Sequence, residues 1–398
     1  MISQYFPPDT GGASTRASNI VKSIEESGHE VVVVTAFPHY PQGEIPTQYR
    51  AKIMSAERMN KTRVIRVWVP PLPHEGMVYR FILYFSFALS ALLALPFCRS
   101  TRVTWAISPN YLCMVPATVC KIMTRSKLIH DVVDIWPEAL VATGFSIPKI
   151  AQSGTRILSF ISYAFSDRIT TISRSMGARL QRTVPGSVPV DVIENCVADT
   201  FFKVPPKQIG PRFHVMYLGT LGPSNDFPTV LDAARKLQEE KLARFTIAGS
   251  GEQAKEIALS IETGRISNVD FHNGAVPHQA VPEWLGTADA LVLPLKRGFG
   301  DTSFPSKLGE YLASGRPVIC MTDGQLGRVI RESEIGILVE PGSVAGLVKA
   351  IVWTLKNPSL SASFSSNARE YARKNLSYDV FSQKTNKILE VVEHGVNN

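Results

Sequence analysis

Short β-branched runs alternate with amphipathic helical stretches through both halves of this 398-residue chain, and that rhythm confines it to parallel sheets wrapped by helices. In the first half the expected strands are Glu30–Thr35, Val64–Val69, Val103–Ile107, Lys127–Val132, Arg168–Ile172 and Val190–Ile193. In the second they are His214–Leu218, Ala243–Ala248, Val269–His272, Ala290–Pro294, Pro317–Met321 and Gly336–Val339. Helices fall between them, for example Ala13–Ser27, closed by Gly28, and Phe227–Glu240. The stretch Ala198–Arg212, with Pro205, Pro206, Gly210 and Pro211, has little periodicity and reads as a linker. The expected fold is therefore α/β, two Rossmann-like domains facing across a cleft: 1–203, and 209–375, with a last helix over about 376–398 packing back on the first. In open α/β sheets ligands bind at the carboxyl ends of strands, so two such sheets imply a ligand held between them.

Composition narrows the class. A hydrophobic content of 44% with 19% charged residues fits large globular cores. Five cysteines (98, 113, 120, 196 and 320), with no Cys-x-x-Cys spacing, argue against a disulfide framework or a zinc site and for a reducing compartment. Met1 leads straight into a Pro/Gly loop, so no cleavable leader is expected and the chain reads as cytosolic. Residues 1–195 hold 20 Lys/Arg against 13 Asp/Glu, nearly all of the net charge of +8. An anionic partner or plain solubility both account for that excess. Neither half carries Gly-x-Gly-x-x-Gly after its first strand, and no Gly-x-x-x-x-Gly-Lys-Ser/Thr loop is present, which disfavours a dehydrogenase or a P-loop enzyme.

The most informative segment is Phe304–Ile319, FPSKLGEYLASGRPVI. A helix should start near Ser306 and stop at Gly315. Ser306, Lys307 and Glu310 then share one face near its N-terminus. Exposed amides, the positive dipole end and the Lys307 charge suit a phosphate, and a glutamate one turn on suits the two hydroxyls of a ribose. A solvated helix with an exposed Lys–Glu pair is the plain alternative.

This segment resembles the donor-binding signature of glycosyltransferase family 4, the large retaining family with the GT-B fold, and the similarity spans the chain. Ser3–Gly12 (SQYFPPDTGG) resembles the family's first strand and glycine-rich loop, and Val192–Val197 (VIENCV) the turn before its linker, with Cys196 where glycine is usual. Tyr217–Gly222 (YLGTLG) and Ile247–Gly251 (IAGSG) resemble the two glycine-bearing loops beneath the nucleotide. Asp134–Glu138 (DIWPE) resembles a motif of the surface-polysaccharide fucosyl and N-acetylfucosaminyl transferases. The resemblance implies donor binding by Gly11, Gly12, Gly219, Thr220, Gly249, Gly251, Thr302, Ser306 and Glu310, with Asp134 and Lys307 as catalytic residues. Two positions depart from the pattern. Thr302 stands where many members have a first glutamate, and Pro223–Asp226 (PSND) lacks the family's phosphate-binding Arg and Lys. Asp134 as a turn cap, and Gly11 and Gly12 as plain loop glycines, are the structural alternatives. His130 reads as a packing residue.

Phe81–Phe97 (FILYFSFALSALLALPF) is seventeen residues without charge, bracketed by Arg80 and Arg99. A buried helix, in-plane docking on a membrane and a short membrane span are all compatible with it. The expected function is transfer of a sugar with retention from a nucleotide-sugar, UDP-sugar first, to a lipid-linked or polysaccharide acceptor. No cofactor, metal or nucleic acid is expected, and the enzyme would lie on an anionic membrane surface at the inner face of the cell membrane. The rivals are a non-hydrolysing nucleotide-sugar epimerase and a catalytically silent, membrane-bound assembly subunit. Only Met1 and Ile2 precede Ser3, so either a very short first strand or a start further upstream is expected.

Overall fold

The structure, a computed structural model, describes residues 1–40, 42–72, 76–137, 148–205, 212–301 and 304–395. The chain divides into two compact units, Met1–Asn195 with Phe381–Asn398, and Cys196–Val380.

In the first unit the strands are β1 (Val32–Ala36), β2 (Met54–Met59), β3 (Thr62–Val67), β4 (Val103–Ser108), β5 (Lys127–Val132), β6 (Arg168–Thr171) and β7 (Val190–Val192). Its helices are α1 (Gly12–Glu26), α2 (Met77–Leu92), α3 (Met114–Thr124), α4 (Lys149–Ala164) and α5 (Arg174–Thr183). The strands run β2-β3-β1 and β4-β5-β6-β7, and Ile2 joins the two groups by bridging Val34 on one side and Ala106 on the other. All pairs are parallel except β2–β3, an antiparallel hairpin turned at Asn60 with φ +55. β2 has no counterpart among the expected strands. Its sequence, MSAERM, is polar and half-exposed, as an edge strand tolerates. Leu83, Phe87 and Ala91 of α2 and Met114 and Ala117 of α3 pack on Ile65, Val67 and Ala106 of the sheet.

The second unit carries β8 (Phe213–Leu218), β9 (Ala243–Gly249), β10 (Val269–Asn273), β11 (Ala290–Pro294), β12 (Val318–Met321) and β13 (Ile337–Val339). Between them lie α6 (Phe227–Glu239), α7 (Ala254–Thr263), α8 (Val281–Thr287), α9 (Ser306–Ser314), α10 (Gly324–Glu332), α11 (Val344–Lys356) and α12 (Pro358–Leu376). The sheet is wholly parallel in the order β10-β9-β8-β11-β12-β13. Renumbered within the unit this is 3-2-1-4-5-6, the Rossmann order, with its switch point between β8 and β11. Every residue of β8 is buried, as a strand covered on both faces must be.

Two expectations are corrected. The first unit closes at Asn195, not at 203: Val197 donates its N–H to Leu376 O (2.8 Å), and Phe201 is fully buried among Leu285 and Leu312, so 196–204 belongs to the second unit's core. The helix read over Phe81–Phe97 instead spans Met77–Leu92, and Pro96 opens a separate 3-10 turn, Leu95–Cys98. Of the segment read as linker, Pro206–Pro211 lies outside the described residues. The last helix, α13 (Tyr378–His394), joins the first unit from Phe381 onward: Ser23 Oγ lies 2.9 Å from Ser382 Oγ, and Lys384 Nζ lies 2.5 Å from Glu194 Oε2.

Candidate functional site

The switch point of the second unit is built by backbone pressed on backbone. Gly219 donates its N–H to Ala248 O, Leu221 to Ser250 O and Gly274 to Gly249 O, each at 2.9 Å. A Cβ at Gly249 (φ +153) would lie 1.8 Å from Gly219 O, so only glycine permits this approach. A Cβ at Gly251 (φ +152) would lie 2.5 Å from Leu221 O. A Cβ at Gly219 would stand 3.0 Å from Lys307 Cε and Nζ, which places the lysine directly over this loop.

Lys307 follows Ser306, the first residue of α9, whose own side chain is exposed. The ammonium bonds the Tyr217 hydroxyl and lies over that ring, 4.5 Å from its centroid. It also reaches Thr220 O at 3.4 Å, an atom shared with Tyr217 Oη (2.5 Å) and Asn225 Nδ2 (3.2 Å). Burial pulls the Lys307 ammonium down to about 8, against the opposing charge of Glu310. One turn further along α9, Glu310 Oε1 meets His278 Nε2 at 3.2 Å, and this bond raises the imidazole. Tyr311 ties the helix to β8: its hydroxyl accepts from Leu218 N (2.9 Å) and donates to Leu218 O (3.0 Å).

The structure therefore gathers Gly219, Thr220, Gly249, Gly251, Ser306, Lys307 and Glu310 at one end of one sheet. Thr302 lies outside the described residues. In Pro223–Asp226, where phosphate-binding cations are missing, Asn225 and Gln253 clasp the turn, and Asp226 caps α6 by accepting from Thr229 N at 3.3 Å. Tyr217, His278 and Tyr311 escaped the sequence reading. The first two stand 90 and 29 residues from Lys307; Tyr217, which opens the YLGTLG motif, and Tyr311, beside Glu310, carried a local signal, and His278 carried none.

In the first unit Gly11 (φ +111) precedes α1, and a Cβ there would meet the Tyr40 ring at 3.2 Å, while Gly12 faces open space. Both line a cavity of about 270 Å³ with Tyr5, Tyr40, Arg80 and Tyr84. Asp134, just past β5, lies within electrostatic reach of Arg80 and Tyr84. Asp134 is exposed, yet the protein crowded around its carboxyl raises it, while Arg80 pulls the other way. The backbone carbonyl of Asp134 accepts from Tyr111 Oη at 2.9 Å. His130 is buried, 2.8 Å from Ser108 Oγ, and burial depresses it to about 3, so it packs as a neutral ring.

Comparison with known proteins places these features. Residues 11–196 match the glycosyl transferase 4-like domain, and residues 200–371 match the glycosyl transferases group 1 family. The putative colanic acid biosynthesis glycosyl transferase WcaI of Escherichia coli K12 is 26% identical, over 93% of this chain and 94% of its own. The sucrose-phosphate synthase structure from Thermosynechococcus elongatus superposes with a TM-score of 0.76 at 16% identity, covering 99% of both chains. HepE of Anabaena, solved with UDP-glucose, gives 0.69 at 14% identity over 98% of this chain and 99% of its own. With both halves matched in order, and a parallel Rossmann-type sheet ending in the Lys307–Glu310 helix, the chain belongs to the group 1, family 4-like glycosyltransferases of the GT-B fold.

Proposed function

We propose that this glycosyltransferase moves a hexosyl unit with retention from a UDP-sugar to a lipid-linked or polysaccharide acceptor, without metal or cofactor, at the cytoplasmic face of the membrane. The observation that carries the reading is the pair on α9: Lys307 over the Gly219 loop, and Glu310 one turn deeper. The N-terminus of α9 and Lys307 suit a diphosphate, and Glu310 suits the ribose hydroxyls. The UDP-glucose complex of HepE and the colanic acid role in the name of WcaI support donor and acceptor class. In this reading the bond from C1 to the β-phosphate oxygen breaks as the acceptor oxygen bonds C1 on the same face, and the departing phosphate takes the acceptor's proton. Catalysis then rests on positioning and on charge stabilisation at the diphosphate, with Lys307 as the cation and Asp134 beside the acceptor. Ser306, at the start of α9, completes the donor contacts in the second unit.

A thermal-shift panel of UDP- and GDP-sugars tests the donor, since a bound ligand stabilises according to its affinity. A selective shift with one UDP-sugar is expected; no shift with any nucleotide-sugar would overturn the reading. The anomeric coupling of the product then tests retention, and donor conversion without acceptor would point to epimerisation.

A further inference from the structure

Fifteen of the twenty exposed large hydrophobic side chains among the described residues lie on or at the ends of α2, α3 and α4, and the whole second unit shows only two. Topology explains how they meet. The steps β3 to β4, β4 to β5 and β5 to β6 all cross the sheet in one direction, so right-handed crossovers put the three connecting helices in one layer on one face. α2 packs against α3, and both α2 and α4 pack against the turn Tyr111–Cys113 that leads into α3. Each helix buries one stripe and turns another apolar stripe outward. On α2 the outer stripe is Phe81, Phe85 and Leu89, four apart; on α4 it includes Ile157 and Ile161. Ile150 is 87% exposed, Ile122 68% and Phe81 62%, values of side chains with nothing over them.

The charge pattern selects the occupant. Besides Arg80, which lines the Gly11–Gly12 cavity, α2, α3 and α4 contain Lys121, Lys149 and Arg156 and no aspartate or glutamate. Arg125 and Lys127 follow α3, both exposed, and the acid beside them, Asp167, is paired with Lys121 (2.7 Å) and Lys127 (3.4 Å). A broad apolar surface rich in cations matches an anionic bilayer, whose hydrocarbon takes the apolar side chains and whose headgroups take the charges. Among the described residues no helix is long and apolar enough to cross a membrane.

We propose that the outer face of the α2–α3–α4 layer is an in-plane docking surface for an anionic bilayer, with α4 as essential to it as α2. The inference deepens the lipid-linked-acceptor reading and rests on it for its purpose, but binding is measured without donor or acceptor. The experiment is flotation of the full chain with vesicles of phosphatidylcholine alone or with 30% phosphatidylglycerol, about a third being enough for a strong negative surface potential. Association at least tenfold stronger with the anionic vesicles, falling as salt screens the charges, is expected. Ile157→Ser/Phe160→Ser on α4 and Phe81→Ser/Phe85→Ser on α2 should each reduce it at least tenfold, with thermal melts and UDP-sugar thermal shifts unchanged. Equal flotation with neutral vesicles, or α4 variants that bind like the parent, would overturn the proposal. So would a concentration-dependent dimer that the same substitutions dissociate, because the face would then be covered by a second copy. Loss of the UDP-sugar shift in the parent protein would instead count against the donor reading and leave flotation as the independent measure.

Discussion

Lys307 is held where a lysine is costly to keep charged, walled in by Tyr217, Thr220 and Gly219 with its ammonium lowered to about 8. An ammonium that deprotonates near pH 8 cannot serve a diphosphate above it. The affinity of the free enzyme for a UDP-sugar, whose diester has no ionisation in this range, should therefore fall above pH 8, by up to about tenfold per unit. On the acid side the raised His278 matters: while protonated it holds Glu310 most tightly and competes with the ribose, so affinity should also fall as pH drops through its titration. Calorimetric titration across pH should give a bell, with His278→Gln flattening the acid limb and Lys307→Arg the alkaline one. A flat profile in the parent enzyme would show that neither group meets the donor. The two side chains should also separate kinetically. Glu310→Gln removes a charge-assisted acceptor present in ground and transition states, and should weaken donor binding by roughly 1.5–3 kcal/mol. Lys307→Ala removes a cation facing charge that grows as the glycosidic bond breaks, so turnover should fall more than the donor Michaelis constant rises. Steady-state kinetics with varied donor measures both; near-parental kinetics in both variants would make α9 a solvated surface helix.

Elements carry the next level, because the site depends on how closely they approach. Gly249→Ala would drive a methyl into the Gly219 carbonyl, 1.8 Å from the position of its carbon, so the β8 and β9 loops must part. Strain of this kind costs on the order of 1–3 kcal/mol or more. Both a lower melting temperature and loss of the UDP-sugar shift are expected; an unchanged melt would mean that the loops yield freely. In the other unit α1 is pinned to β5 by Arg16, which forks onto Asp131 at 2.6 and 2.8 Å and also donates to Ile193 O and Asn195 Oδ1, each at 2.9 Å. Arg16→Met leaves Asp131 buried without its cation, and urea unfolding should show a loss of about 3–5 kcal/mol. Adding Asp131→Leu should recover part of it, since a buried apolar pair avoids the stranded charge. Little of this pairing was legible in the sequence, where Arg16 and Asp131 stand 115 residues apart. The strands were legible because buried parallel strands are continuous β-branched runs: β5 and β11 run over the residues their sequence marks, while the polar edge strand β2 left no such mark. The Ser306–Glu310 face was readable for a local reason, helical spacing beside a Pro start and a Gly stop. The approach of Tyr217 and His278 to that helix was not, since only the folded sheet brings them there. The end of α2 was misjudged because its apolar run continues past Leu92 into a 3-10 turn whose composition is the same.

At the scale of the molecule, the chain folds as two units, each with its own core. The second unit runs unbroken from Cys196 to Val380 and holds Lys307, Glu310 and the three glycines of the switch point. The first is discontinuous, completed only when α13 returns to it with Phe381, Ile388, Leu389 and Val392 buried. Arg16, which forks onto Asp131, also lies 5.8 Å from the Phe381 ring, so the helix closes over the same ion pair that fixes α1. Burying four such side chains is worth roughly 1.5–3 kcal/mol each relative to exposure, an upper estimate because unfolded chains already bury some apolar surface. That sum rivals the whole stability of a typical domain. A chain ending at Val380 should therefore lose the first unit's cooperative unfolding and keep the second's. Scanning calorimetry of the full chain should show two transitions, with a UDP-sugar raising the one that belongs to Cys196–Val380. The shortened chain should retain that transition and its ligand shift while the other broadens or disappears. Loss of both transitions together would mean that the two cores unfold as one and that α13 supports the entire molecule. A ligand shift confined to the missing transition would move the nucleotide site to the first unit and remove Lys307 and Glu310 from it.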